Sequence, residues 1–536
     1  MTSGFWLLTS NFPWIYTVLA MEPGIVYIVG AGPGDPLLIS VRGQRYLALA
    51  DVIVHDHLIH RRLLRLAPPR AEKIDVGAAA PQPLEQDAIN LLLAEKAREG
   101  KTVVRLKWGD PYVFDSGGKE ALFLHEQDIR FEVVPGVTAP VAAPCYAGVP
   151  VTYPGAGDVL VFIRGHEDGS RKTPRIDWST VARLEGTIVC YGGPKQLPAI
   201  LDALIANGRS PKEWAAIVSH GTLPSQRTLH GTLGELQERL RHKDPQKEPA
   251  ILVVGAVAGL REHLRWFDSR PLFGKRVLVT RSREQAGELV ELLEDLGAEA
   301  IEAPSIRIVP PADFTALDEA CRAAGTYDWI VFTSANGVDA FMRRLLAGPG
   351  DVRQLKGPRL CTIGPATSDR LARYGIKVDL MPVEYRAEAV LDALRAHGEL
   401  RGKRVLLPRA DIAREVLAEE LRRAGAEVTE VAAYRTVREP LAVEGELDIY
   451  KMLLDGQIDV VMFTSASTVR NFAQSLGEDQ AADLLHSTVV ACIGPVTAEA
   501  AQRLGITTDV TPDDYTIPAL VQAIVEHFSA KAGIEM

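Results

Sequence analysis

Cysteine is scarce in this 536-residue chain: Cys145, Cys190, Cys321, Cys361 and Cys492 stand far apart and form no CxxC pair. That spacing excludes a disulfide framework and a zinc ribbon, and it suits a reducing cytosol. An excess of positive charge is lacking too, with 59 basic against 69 acidic residues and a net charge of −10. Nothing in the balance points to a nucleic-acid partner. Long apolar runs are also missing. The apolar, aromatic stretch from Phe5 to Ala20 has no basic leader, contains Pro13 and is too short to span a bilayer. Residues 1–22 are therefore expected to be an unstructured extension, neither signal nor anchor, and no membrane partner is expected. What is present is an ordinary globular composition, 47% apolar and 24% charged, in a chain long enough for three or four domains.

The first half is organised around VYIVGAGPGDPLLIS, Val26 to Ser40. Val26 to Val29 read as a strand buried on both faces, as in a parallel sheet. Gly30, Gly32 and Gly34 then make a turn whose missing Cβ atoms let backbone N–H groups approach a ligand. Pro33, Asp35 and Pro36 interrupt that loop, and no acidic residue follows at a clean strand end, so the pattern departs from a dinucleotide site. Val41 to Ala50 reads as a helix and Asp51 to Val54 as a second strand, followed by His55, Asp56, His57 and His60. The HxHxxH spacing invites a metal site. It sits at a strand end without a cysteine or carboxylate pair to complete a shell, so no metal is expected.

Further along come VVRLKWGDPYVF (Val103 to Phe114), VVPGVTAPVAAPCYAGVPVT (Val133 to Thr152), TIVCYGGP (Thr187 to Pro194), HGTLPSQRTLHGTL (His220 to Leu233) and PAILVVGAV (Pro249 to Val257). With GAGPGDP and ADVIVHDHLI before them, this ordered set resembles the tetrapyrrole methylases, in particular the uroporphyrinogen-III C-methyltransferases, over residues 24–264. The resemblance implies a two-lobed methylase domain (lobes about 23–134 and 135–264), S-adenosyl-L-methionine as cofactor, a tetrapyrrole substrate and a homodimer formed through this domain. It places the cofactor against Pro33, Trp108, Gly109, Asp110, Val113, Thr138, Ala139, Gly192 and Gly221, and gives Asp56 the role of general base.

Several positions depart from that family's pattern. Ala78 follows Val76 and Gly77 where relatives carry a lysine proposed as proton donor, and Trp108 replaces a glycine. Asp115 and Ser116 replace a Gly-Arg pair and so remove a positive charge that could meet a substrate carboxylate, while Gly192 replaces a methionine beside the adenine. The Trp108 indole is expected either to stack on the adenine or to fill the site. These departures leave a second expectation, a methylase-fold domain that has lost methyl transfer.

Residues 265–274, RWFDSRPLFG, are charged, contain Pro and Gly, and read as a linker. Beyond them the sequence repeats. KRVLVTR from Lys275 matches KRVLLPR from Lys403, the FTSA block of Phe332 matches that of Phe463, and the IGP block of Ile363 matches that of Ile493, at offsets of 128, 131 and 130 residues. Matched blocks at nearly one offset mean two homologous halves. Each half reads as a doubly wound parallel α/β unit. Thr333, Ser334, Thr367, Thr464, Ser465 and Thr497 fall in loops at strand ends, either to face a ligand between the halves or to cap the following helices.

With AAYRTV (Ala432 to Val437) and DDYTIPALVQAI (Asp513 to Ile524), this second half resembles the uroporphyrinogen-III synthases over residues 271–529. The resemblance implies a two-lobed clamp over residues 275–530, one lobe from about 275–308 and 436–530 and the other from about 309–435, the chain crossing and later returning. It makes Tyr434 the residue that helps expel the hydroxyl of hydroxymethylbilane and puts Thr497 in the cleft. Arg281, Arg283, Arg409 and Arg435 fall at strand ends where they could meet the substrate's carboxylates, alongside Thr333, Ser334, Thr464 and Ser465. The function implied is one polypeptide that closes hydroxymethylbilane to uroporphyrinogen III and methylates it toward precorrin-2.

Overall fold

The computed structural model describes residues 24–77, 80, 83–165, 176–242, 249–281, 283–304, 306–383, 387–411, 416–438 and 448–532. The extension 1–22 and Ala78 lie outside the described residues. The chain forms two compact units that divide between Gly274 and Lys275. Among the described residues no helix is long and apolar enough to cross a membrane.

In the first unit, β1 (Ile25–Gly30), β2 (Val52–His55), β3 (Glu72–Asp75), β4 (Thr102–Lys107) and β5 (Arg130–Val134) form an all-parallel sheet in the order β3-β2-β4-β1-β5. β2 is buried at every position and β1 and β4 nearly so, which is why they read as runs of β-branched residues without alternation. The second sheet is mixed: β6 (Val159–Arg164), β7 (Gly186–Gly192), β8 (Trp214–Ser219), β9 (Arg227–Thr232) and β10 (Ala250–Val254) lie in the order β6-β7-β10-β8-β9. β10 runs antiparallel to both of its neighbours. The helix Ala139–Tyr146 joins the two sheets and packs Ala139 and Ala143 against Val189, Val218 and Ile251.

The ten residues 265–274 are folded onto this unit. Phe267 is buried, and its ring meets Tyr146 at 4.8 Å and Phe273 at 5.3 Å. Trp266 Nε1 donates to the Cys145 carbonyl at 3.0 Å, and the Arg270 guanidinium lies over the Trp266 ring at 4.9 Å. Buried aromatic area holds the segment where its Pro, Gly and charge content had suggested a free linker.

The second unit holds two sheets. One consists of β11 (Arg276–Val279), β12 (Glu299–Glu302), β18 (Val460–Phe463) and β19 (Val489–Cys492), all parallel, in the order β12-β11-β18-β19. The other consists of β13 (Ile306–Val309), β14 (Trp329–Phe332), β15 (Arg359–Thr362), β16 (Arg404–Ala410) and β17 (Glu427–Arg438), in the order β13-β17-β16-β14-β15, with only β13 antiparallel. Each sheet therefore combines the opening strands of one repeat with the FTSA and IGP strands of the other. The two sequence repeats are therefore not the two sheets: β11 and β12 of the first repeat share a sheet with β18 and β19 of the second. Repetition reports that two segments share a pattern, whereas the route of the chain decides which of two equivalent strands becomes the neighbour.

The repeat is nonetheless visible in matching contacts. Phe332 meets Phe341 edge-on at 5.6 Å and Phe463 meets Phe472 at 5.5 Å. Asp328 accepts the Arg404 backbone N–H at 2.9 Å, just as Asp459 accepts that of Arg276 at 2.9 Å. Asp379 and Asp509 likewise close on the Leu360 and Val490 amides at 2.7 and 2.8 Å.

Candidate active sites

Three loops meet at the carboxyl ends of β1, β4 and β5. A Cβ on Gly30 would stand 2.5 Å from the Gly136 Cα and 2.7 Å from the Gly109 carbonyl oxygen, so glycine is required by chain packing. Gly32, at φ +81°, pairs with Gly109 through N–H···O bonds of 3.2 and 2.9 Å in the two directions. Asp110 ties the same loop down, accepting from the Gly136 N–H at 3.0 Å and the Tyr112 N–H at 2.8 Å. The Asp35 N–H is taken by Thr222 Oγ1 at 3.0 Å. The glycine loop thus spends its backbone donors on neighbouring chain.

Trp108 lies half-buried against the cores of both sheets of this unit. Its Nε1 donates to the Pro33 carbonyl at 3.1 Å and its backbone N–H to Asp56 Oδ2 at 3.0 Å. Asp56 Oδ1 accepts from Arg105 Nη2 at 2.6 Å. Burial by itself would raise the Asp56 carboxyl, but the Arg105 and Lys107 charges and the Trp108 N–H outweigh it and hold the group below its ordinary value. A carboxylate so held stays ionised and is a weak proton acceptor.

Beneath Asp56 runs a chain of alternating charge. Glu120, fully buried, accepts Arg105 Nε at 3.1 Å and Lys107 Nζ at 3.0 Å on the same oxygen, Oε1, which also takes Gln86 Nε2 at 3.2 Å. Lys107 Nζ reaches Asp115 Oδ1 at 3.2 Å and Ser116 Oγ at 2.9 Å. The order is Asp56, Arg105, Glu120, Lys107, Asp115. The three inner side chains are at most 2% exposed, and both carboxylates at the ends are 26% exposed. Lys107 and Glu120 were not singled out in the sequence. The available signal was two cations two residues apart in a strand otherwise apolar on both faces, which a buried strand tolerates only with partners.

The remaining residues named for the cofactor divide into two groups. Thr138 heads the helix Ala139–Tyr146 and its hydroxyl lies 3.2 Å from the Tyr191 hydroxyl; Ala139 is buried in the first turn. Val113 is half-buried in the loop after β4. Gly192 and Gly221 face protein: a Cβ on Gly192 would stand 2.5 Å from Leu197 Cδ2, and one on Gly221 would collide with Ala143. The histidines each have a local partner, His55 the Asp56 carbonyl at 3.0 Å, His57 the Asp75 carboxylate at 2.8 Å and His60 the Arg62 N–H at 3.2 Å. Among the described residues no group of His, Cys, Asp or Glu is placed to hold a metal ion.

In the second unit, Ser334 and Tyr434 come together, their hydroxyl oxygens 3.0 Å apart. A shift of register between β16 and β17 puts Tyr434 there: Arg409 pairs with Ala432 and Ala410 with Tyr434, which leaves Ala433 as an extra residue. Such a bulge re-aims the side chain that follows it. Tyr434 is 8% exposed, and burial first, with the nearby Asp411 charge, pushes its phenol above the ordinary value although the Ser334 hydrogen bond works the other way. Ser334 and Ser465 do cap helices, accepting from the Gly337 N–H at 3.0 Å and the Thr468 N–H at 3.2 Å. Capping therefore accounts for the serines. Thr333 and Thr464 stand half-exposed beside them without a side-chain hydrogen bond among the described residues. Thr367 and Thr497 are buried in the first turns of the helices that follow β15 and β19.

The arginines are less open than their strand-end positions suggested. Arg409 is ion-paired to Glu430, which also holds Arg422 at 2.6 Å, and Arg435 lies 3.7 Å from Asp411. Burial pushes the Arg281 guanidinium below its ordinary value, with Glu288 acting against that. The Arg283 side chain lies outside the described residues.

Two family models match, one in each unit: Tetrapyrrole (Corrin/Porphyrin) Methylases over residues 25–237, and Uroporphyrinogen-III synthase HemD over residues 287–522. A relative from Ruminiclostridium josui, "Porphyrin biosynthesis protein HemD", is 38% identical over 510 residues, covering 94% of this chain and 98% of the relative. The chain belongs to this family of tetrapyrrole methylases fused to uroporphyrinogen-III synthase. The chain is also similar to "Uroporphyrinogen-III C-methyltransferase" of Bacillus subtilis, 40% identical over 338 residues, 63% of this chain and 69% of that protein. It is 44% identical to "S-adenosyl-L-methionine-dependent uroporphyrinogen III methyltransferase" of Methanosarcina barkeri, over 45% of this chain and 94% of that protein.

Gly109 has φ +71°, and nothing lies within 4 Å of where its Cβ would be, in contrast to the closed contacts at Gly30 and Gly136.

Proposed function

We propose that this chain carries two consecutive activities, closure of hydroxymethylbilane to uroporphyrinogen III in the second unit and methylation of that product toward precorrin-2 in the first. What carries the reading is the unbroken similarity to one fused relative across 94% of the chain, with a separate family model matched in each unit.

In the second unit the chemistry asks little of side chains. Loss of hydroxide from hydroxymethylbilane leaves a cation stabilised by the pyrrole, and the demanding step is to hold the open chain coiled so that the last ring attacks through its substituted carbon. Tyr434 protonates the departing hydroxyl. In this reading Thr333, Ser334, Thr464 and Ser465 face the substrate with the buried Thr497 behind them, and Arg281 and Arg409 meet its carboxylates by exchanging their present partners.

In the first unit, bound S-adenosyl-L-methionine supplies an electrophilic methyl group. The backbone over Gly109, with Pro33, Asp110, Val113, Thr138 and Ala139, holds it, and Trp108 braces the glycine loop from beneath. Gly192 and Gly221 contribute close packing of the second sheet. Asp56 fixes Trp108 and Arg105 in place. The Trp108 indole is bonded to the Pro33 carbonyl and packed against the cores of both sheets, which supports a bracing role over the reading in which it has filled the site and methyl transfer is lost.

Incubating the purified protein with hydroxymethylbilane and S-adenosyl-L-methionine tests both activities at once. The expected product is a methylated type III macrocycle. Recovery of unrearranged uroporphyrinogen I alone would reject the cyclase reading, and recovery of unmethylated uroporphyrinogen III would reject the methylase reading.

A further inference from the structure

Methylation at carbon releases one proton, and the residues that relatives use to manage it are altered here. Position 78 is alanine, which cannot exchange a proton, and Asp56 has both oxygens engaged, Oδ1 by Arg105 and Oδ2 by the Trp108 N–H. At the other end of the same charge chain stands Asp115, a residue that departs from the family pattern. Among the described residues its polar contacts all fall on Oδ1: the Ser116 N–H at 2.6 Å, the Ser116 hydroxyl at 3.5 Å and Lys107 Nζ at 3.2 Å. Oδ2 is left for a ligand.

Asp115 belongs to the same loop after β4 as Asp110 and Val113, which are proposed above to hold the cofactor. Phe114, immediately before Asp115, is held at φ +58°, a conformation that a bulky residue keeps only where the neighbourhood enforces it. Its ring meets Tyr191 edge-on at 5.6 Å, and Tyr191 reaches the Thr138 hydroxyl at 3.2 Å. Asp115 and Asp110 both act on the Tyr191 phenol, which burial pushes up to about 12.

We propose that Asp115, through Oδ2, accepts the proton released when the tetrapyrrole is methylated, and that Lys107 positions it. The proposal rests on the methylase reading above. A carbon of the macrocycle uses a π electron pair to form the new C–CH3 bond, and the S–CH3 bond breaks with its pair left on sulfur. The macrocycle, now cationic, loses one proton to the Asp115 carboxylate and returns to neutrality, and the carboxylic acid then gives that proton to water.

The environments of the two end carboxylates separate their roles. Burial raises Asp115 above its ordinary value, with Asp56 adding to the rise and Lys107 and the Ser116 N–H opposing it, whereas Asp56 is held low. Two carboxyls pushed apart in this way divide the labour of acid–base chemistry, and the one nearer the working pH is the better proton acceptor. The charged groups facing Asp115 are Lys107 from β4, Glu120 from the helix Gly117–Glu126 and Asp56 from the loop after β2, with the titratable Tyr191 on β7.

The test uses the full chain with uroporphyrinogen III and S-adenosyl-L-methionine, following methyl transfer against pH, with S-adenosylhomocysteine binding measured by calorimetry. Asp115→Asn should slow methyl transfer about 100-fold and abolish the acid-side fall of the rate, while the Kd for S-adenosylhomocysteine stays within about twofold. Asp115→Glu should restore most of the rate and the pH dependence. If Asp115→Asn does not fold, Asp115→Gly, the residue type usual in relatives, should show the same loss. Either neutral variant keeping the rate within about threefold, with its acid limb intact, would overturn the proposal. A wild-type protein that binds S-adenosylhomocysteine but forms no methylated product would reject the methylase reading, and the proposal with it.

Discussion

Ser334 Oγ lies 3.0 Å from the phenol oxygen of Tyr434 while accepting the Gly337 N–H at 3.0 Å. With that lone pair occupied, the Ser334 hydrogen is free to point at Tyr434, and the phenol proton is then free to point toward a departing hydroxyl. Tyr434→Phe should lower formation of uroporphyrinogen III about 100-fold or more. Ser334→Ala should cost less in rate, together with about 1 kcal/mol of stability from the lost helix cap. The ratio of type III to type I product, read by chromatography, checks both. Because the phenol is raised and must be protonated to act, the wild-type rate should not fall as pH rises until above about 10, the ordinary tyrosine value.

Among the described residues Glu120 is the anion that both Arg105 and Lys107 reach. Glu120→Gln leaves two buried cations short of one charge and should destabilise the first unit by roughly 3–5 kcal/mol. Calorimetry of the intact chain should show the first unit's transition falling and the second unit's unchanged. The pH dependence has a definite sign. Asp56 and Glu120 have lowered folded values, so their contribution is present above the ordinary carboxylate range of about 4 and is lost as pH falls through the lowered values. Asp115, which is raised, works in the opposite direction: its contribution is present below that range and is lost as pH rises through its folded value.

Trp108→Gly restores the residue usual in relatives, yet here it removes the bond to the Pro33 carbonyl and the packing against two cores. The expected cost is roughly 2–4 kcal/mol, below that of a fully buried tryptophan. Binding of S-adenosylhomocysteine should persist, because the space over Gly109 is already open. A Kd that tightens more than about tenfold would mean the indole had occupied the cofactor's place.

Parts of both sites could be read along the chain and parts could not. Asp56, Trp108 and the glycines were legible because a strand followed by a tight, Cβ-free turn leaves a local pattern. Thr138 was legible for a similar reason, as a polar residue opening a helix. The partnership of Lys107 with Glu120 and Asp115 was not, since a buried charge betrays only that it needs a partner, and its partners lie in a loop and helix that the pattern does not join to it. At Gly192 and Gly221 the sequence could not show that an added Cβ would meet Leu197 and Ala143, because a glycine's place in a motif does not reveal what lies where its Cβ would be.

The sequence by itself determined the apolar strands, the helix starts at Ser334 and Ser465, and the duplication of the second unit, because burial and capping are written into residue type at short spacing. The repeat pattern could not say that β11 lies beside β18 and β14 beside β16, and the tertiary structure alone decided that Ala433 is extruded so that Tyr434 meets Ser334 and that four further charges join Asp56 in one chain. These are relations between segments far apart in the chain. Equivalent strands present the same edge to one another, so only the path of the folded backbone selects among them.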